Sequence, residues 1–85
     1  MDNVNSVIRA MKAYPSAVFL DLGANIGMFT VVIAAMKRKV IAVDADSRNL
    51  AYIKKSLEIA KTTDYVELIY NAVRWKMRLY KLKAI

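Results

Sequence analysis

The sequence predicts an α/β fold built on a parallel sheet, and three observations carry that prediction. Apolar runs at residues 17–22 and 40–43 do not alternate with polar residues, as suits strands buried on both faces of a parallel sheet. A third strand-like run follows at residues 66–70, and a stretch of helical character separates each run from the next. Such spacing makes βαβ units, and a repeated strand–helix order defines the class.

The first element is a helix over residues 3–13, where Val4, Val7, Ile8 and Met11 share one face. Asn3 or Asn5 caps its start, and Pro15 ends it by pushing Tyr14 out of the helical region. Residues 17–22 form the first strand. Gly23 and Gly27, the two glycines of the chain, then bound a turn in which the backbone takes unusual φ or admits a ligand closely. Residues 26–36 read as a helix apolar all round and therefore deeply covered, with Asn25 as its N-cap. Lys37, Arg38 and Lys39 close that helix at the negative end of its dipole. Val40-Ile41-Ala42-Val43 is the second strand and stops at Asp44. Asp46 or Ser47 caps a third helix over about residues 48–61, whose buried stripe is Leu50, Ile53, Leu57 and Ala60. After a loop at 62–64 comes the strand Val66-Glu67-Leu68-Ile69-Tyr70. Residues 74–83 alternate Trp75, Met77 and Leu79 with Arg74, Lys76 and Arg78, and read as a half-exposed basic strand or tail.

Composition narrows the chemistry. With 85 residues and 58% hydrophobic content, the chain is one small domain or a piece of a larger one, and not a disordered segment. It has no cysteine and no histidine, which excludes disulfides, thiolate metal sites and imidazole catalysis and leaves only carboxylate-based metal sites, of which none is assigned. Residues 17–36 carry one charge, but Asp21, Asn25 and the glycine turn interrupt them, and the apolar part from Ile26 to Met36 is too short to span a bilayer. Met1-Asp2-Asn3 lacks the basic start of a secretory signal. No membrane span is therefore expected, and the cytoplasm is the default location. The net charge of +7 arises entirely after residue 36, and residues 74–85 hold five basic side chains and no acid. A tail of this kind attracts phosphate or anionic lipid, so nucleic acid enters as a candidate partner.

Ligands of an α/β sheet sit beyond the carboxyl ends of its strands. There the sequence places Asp21 and the Gly23–Gly27 turn, then Asp44, then Asn71 and Ala72. Asp44 follows Gly23 by twenty-one residues, the interval at which a carboxylate accepts hydrogen bonds from ribose hydroxyls. The turn is G-x-x-x-G. It lacks the G-x-G-x-x-G of dinucleotide sites and the lysine of a P-loop. Asp21 would repel a phosphate, but it can accept a bond from an ammonium group or hold the loop. A nucleoside with an amino-acid end fits these residues better than a pyrophosphate.

The string Asp21-Leu22-Gly23-Ala24-Asn25-Ile26-Gly27-Met28-Phe29-Thr30 resembles the S-adenosylmethionine-dependent methyltransferases of the FkbM type. Val40-Ile41-Ala42-Val43-Asp44-Ala45-Asp46, Asn49-Leu50 and Val66-Glu67-Leu68-Ile69 with Asn71-Ala72-Val73 continue the resemblance over residues 17–73. It implies a Rossmann-like parallel sheet with flanking helices and S-adenosylmethionine as cofactor. By resemblance, Asp21, Gly23, Ala24, Asn25 and Gly27 line the methionyl part, Asp44 holds the ribose hydroxyls, and Ala45 borders the adenine with Asn71 and Ala72 nearby. Two departures stand out. Family members often carry proline at the position of Ala45, and Arg74-Trp75 replaces a Ser-Asp-like pair.

The expected organisation is an N-terminal helix (1–15), a cofactor-binding βαβαβ unit (17–73) and a basic terminal segment (74–85). That is three to four of the roughly seven strands that the resemblance implies for a complete domain. The expected function is methyl transfer, ancestrally to an oxygen of a small molecule or sugar, weak or absent in this chain alone because the acceptor-binding half is missing. A second expectation is non-enzymatic: a remnant or partial domain that binds a partner or RNA through its basic tail. An exposed sheet edge would favour self-association.

Overall fold

A computed structural model describes residues 2–71. The elements run α1 (Asp2–Ala13), β1 (Phe19–Leu22), α2 (Met28–Ala35), β2 (Val40–Asp44), α3 (Ser47–Ala60), a 3₁₀ turn (Thr63–Tyr65) and β3 (Val66–Tyr70). The expected terminal strand over 74–83, the basic tail and Ala72 lie outside the described residues.

The three strands form one parallel sheet in the order β1-β2-β3. Phe19 pairs with Val40 and Val40 with Val66, so Phe19, Val40, Ala42, Val66 and Leu68 share a face. The core lies on that face. Ile33 and Ala34 of α2 meet Leu50, Ile53 and Leu57 of α3 over Val40 and Ala42, and Met11 of α1 joins them. Sequential strand order with both helices on one side is what two crossovers of the same hand produce.

The opposite face overturns one expectation. Residues 17–22 read as buried on both sides, yet Val18, Leu20 and Leu22 are 48%, 50% and 43% exposed. Only β2, paired on both edges, is deeply buried, with Val40, Ala42, Val43 and Asp44 all inside. The covering of α2 is also one-sided. Thr30, Ile33 and Ala34 are buried, while Met28 is 48% exposed. The stripe of α3 holds at Leu50, Ile53 and Leu57 and fails at Ala60, which is exposed.

The basic triplet after α2 departs from expectation as well. Met36 closes α2 and Lys37 takes a left-handed φ of 60°, so the helix ends by backbone geometry. The Arg38 guanidinium turns toward α1 instead, donating to the carbonyls of Met11, Tyr14 and Ala17. The Met11 carbonyl lies in the last turn of α1, where helical partners run out, and those of Tyr14 and Ala17 lie in the turn beyond, the Tyr14 carbonyl also accepting from the Ala17 N–H. One side chain thus ties α1 and the turn after it to the β2 side of the sheet.

Candidate functional site

The parallel pairing brings the carboxyl ends of all three strands to one edge, where Asp21, Asp44 and Asn71 lie. The loop after β1 folds onto the end of β2: the N–H groups of Gly23 and Ala24 both donate to the Val43 carbonyl, at 2.8 and 3.1 Å. Gly23, Asn25 and Gly27 take positive φ values of 71°, 54° and 89°. Ala24 is drawn into the core, 6% exposed. Three left-handed residues in five turn the chain sharply enough for α2 to start directly behind the strand.

The two glycines answer different needs. A Cβ on Gly27 would lie 2.8 Å from Cγ1 of Ile53, so this glycine lets α2 close on α3. A Cβ on Gly23 would meet no atom within 4 Å. The space beside it is open, and Gly23 lines a cavity of about 360 Å³ together with the rest of the 21–26 segment, Met28 and Phe29. Small-molecule sites range from about 300 to 1,000 Å³.

Asn25 is not the helix cap that the sequence implied. Gly27 occupies the cap position without a side-chain hydrogen bond. Asn25 instead donates its backbone N–H to Oδ2 of Asp44 at 2.7 Å. The other oxygen, Asp44 Oδ1, accepts from the Asp46 N–H at 2.8 Å and from Nδ2 of Asn49 at 3.2 Å. The carboxylate is 5% exposed. Burial pushes its pKa up, but the bonds from the Asp46 and Asn25 N–H groups and the Asn49 amide outweigh this and hold it below the ordinary value. A carboxylate offers about four acceptor directions. Three are taken by these bonds, which leaves one direction for a further donor.

Asp46, the other acid of this segment, caps α3 by accepting from the Arg48 N–H at 2.9 Å. The Arg48 guanidinium also bonds it, side chain to side chain, and lowers its pKa. Of the alternatives Asp46 and Ser47, the cap is therefore Asp46.

Asp21 is buried at the end of β1, and Thr30 Oγ1 of α2 donates to its Oδ2 at 2.6 Å. The bond links the strand before the loop to the helix behind it. Phe29, beside Thr30, lines the cavity and tilts against Phe19, with ring centroids 6.0 Å apart. Ala45 is exposed just past Asp44, and the Asn71 N–H donates to the Asp44 carbonyl at 3.0 Å, continuing the ladder one residue beyond β3. The cavity is thus built by the β1–α2 loop, with Asp44 bracing it from behind; Asp44, Ala45 and Asn71 stand along the same edge.

Sequence reasoning missed two participants. Thr30 was visible only as the last residue of a motif, and Asn49 as a neighbour of Leu50. Their side chains matter through partners nine and five residues away. A polar residue on an otherwise apolar helix was the available signal for Thr30.

No family model and no curated protein matches the sequence. Solved structures do. YjhP of Escherichia coli superposes with a TM-score of 0.69 at 22% identity, over 82% of this chain and 29% of its own. A proposed transferase from Pyrococcus horikoshii gives 0.60 at 25% identity, over 79% and 27%. A proposed O-methyltransferase from Klebsiella pneumoniae gives 0.71 at 16% identity, over 99% and 37%. The chain shares with these structures a Rossmann-like α/β fold, here three parallel strands packed against helices. The chain spans about a third of the length of the structures it matches. Among the described residues no helix is long and apolar enough to cross a membrane, and no acidic cluster could hold a metal ion.

Proposed function

We propose that the cavity at the β1–α2 loop is the S-adenosylmethionine site of an FkbM-type methyltransferase domain, with ancestral transfer to an oxygen of a small molecule or sugar. The observation that carries this reading is the pairing of an open backbone at Gly23 with the buried carboxylate of Asp21 on one cavity. The residues fit the group. Asp21 and Asp44 make this edge acidic, which disfavours a pyrophosphate and favours a ligand bearing sulfonium and ammonium charges. The fourth acceptor direction of Asp44 suits one ribose hydroxyl, and the exposed Ala45 leaves room for a base.

Bound there, the cofactor would supply an electrophilic methyl group on sulfur. The chain's own contribution is positioning: Asp21 orients the amino-acid end, Gly23 admits it to the backbone, and Asp44 fixes the loop that shapes the cavity. Asp21 is the one ionisable group among the described residues that line the cavity, and it is committed to the ligand's cationic end. No described group is left there to take the acceptor's proton, so binding without appreciable turnover is expected of this chain.

Isothermal titration with S-adenosylmethionine and S-adenosylhomocysteine tests the reading, alongside Asp44→Ala and Gly23→Val. Binding by the unmutated chain that both substitutions weaken is the expected result. Absence of heat with a folded chain overturns it.

A further inference from the structure

We propose that Thr30 is a positioning residue for this site: its hydroxyl clamps one oxygen of Asp21 so that the other faces the cavity as the acceptor for a ligand's ammonium group. The inference rests on the nucleoside–amino-acid reading of the cavity. Asp21 belongs to β1 and Thr30 to the first turn of α2, on either side of the loop. Thr30 is fully buried and Asp21 is 7% exposed. Their bond, 2.6 Å from Oγ1 to Oδ2, has the short length of a hydroxyl donating to a charged oxygen.

The two Asp21 oxygens are thereby made unequal. Oδ1 has no hydrogen bond among the described residues, and yet it is not sealed off. Among the described residues the buried side-chain polar atom left without a partner is Thr62 Oγ1, so Asp21 Oδ1 keeps access to solvent, and Asp21 lines the cavity. Threonine suits the clamp because its branched Cβ leaves few χ1 states on a helix. Its methyl group packs while its hydroxyl points back across the loop. Without the clamp the Asp21 carboxylate is free to rotate, and that rotation spoils a directed acceptor. The consequence is ligand-selective: Thr30 matters to molecules with an amino-acid end and not to the nucleoside by itself.

The test compares two probes that share a nucleoside. S-adenosylhomocysteine carries the amino-acid end, and methylthioadenosine lacks it. Dissociation constants are measured by calorimetry for the full chain and for Thr30→Val, which keeps the shape and removes the donor, and Thr30→Ser, which keeps the donor. Thr30→Val is expected to weaken S-adenosylhomocysteine about tenfold while leaving methylthioadenosine within about twofold, and Thr30→Ser to restore affinity. Equal weakening of both probes, or of neither, overturns the proposal. Equal affinity of the unmutated chain for the two probes overturns the ammonium contact and leaves the nucleoside site standing. Binding of neither probe overturns the site reading beneath it. Circular dichroism confirms folding, and if Thr30→Val unfolds, Thr30→Ala carries the same test with the same outcomes.

Discussion

Asn25 and Asp44 are nineteen residues apart and joined by a 2.7 Å hydrogen bond from backbone N–H to Oδ2. The bond makes the carboxylate at the end of β2 a brace for the loop that follows β1. A loop rich in left-handed residues holds its shape here because a neighbouring strand grips its middle.

Asp44→Asn should therefore destabilise the fold with no ligand present. The amide keeps one acceptor oxygen for Asp46 and Asn49 but turns a donor toward the Asn25 N–H. Two donors then face each other in a buried place, at a cost of about 1–3 kcal/mol. Urea denaturation of the two proteins measures the difference, and equal midpoints would refute the brace.

The same carboxylate gives the protein an acid limit. Its folded pKa lies below the ordinary 3.8; burial opposes this and the three hydrogen bonds prevail. A depressed folded value means that the stabilisation is fully present above 3.8 and is lost as pH falls through the folded value. The stability advantage of the unmutated chain over Asp44→Asn should be flat from neutral pH to about 5 and shrink below the ordinary value. Thermal melts across that range check the sign.

The glycines should separate in their tolerance of alanine. Gly23→Ala incurs the strain of a left-handed residue, about 1–2 kcal/mol, and meets open space. Gly27→Ala adds a clash with Ile53, a side chain with 0% exposure that has nowhere to move. Melting temperatures should fall in the order unmutated, Gly23→Ala, Gly27→Ala. Ligand affinity should suffer in Gly23→Ala even where folding survives.

Arg38→Ala should loosen α1. It removes the donor for three carbonyls at the end of that helix and in the following turn. A cost of about 2 kcal/mol is expected for a partly exposed charged donor, and hydrogen exchange in α1 should accelerate more than in β2. Arg38→Lys should recover little, since an ammonium cannot span three acceptors as a guanidinium fork does.

The sequence was most legible where local signals and tertiary structure agree. β2 and β3 begin and end within a residue of where their apolar runs do. α3 follows its stripe and starts at an acidic cap, because Asp46 bonds within its own turn. Legibility failed where a distant partner decided the outcome. A local capping rule favours Asn25 at a helix start, but Asp44 draws its N–H elsewhere and leaves Gly27 to begin the helix. Arg38 looked like a cation at a helix end, and it serves a different helix. The edge strand β1 has an apolar composition that implies two covered faces, whereas among the described residues helices pack on one. The strand ends carrying Asp21, Asp44 and Asn71 were foreseeable from spacing, but the bonding of one Asp21 oxygen by Thr30 and of both Asp44 oxygens by the loop and α3 was not.

The all-parallel pairing also bears on how the chain reaches this state. No two of the three described strands are joined by a hairpin, so β1 cannot meet β2 until the whole of α2 has folded back between them. Each pairing requires closing a loop through a helix before any ladder bond repays it, which slows folding relative to a hairpin-built sheet of the same size. The Asn25–Asp44 bond spans the same crossover as the first strand pair, so the contact that braces the candidate site depends on the same loop closure as the sheet.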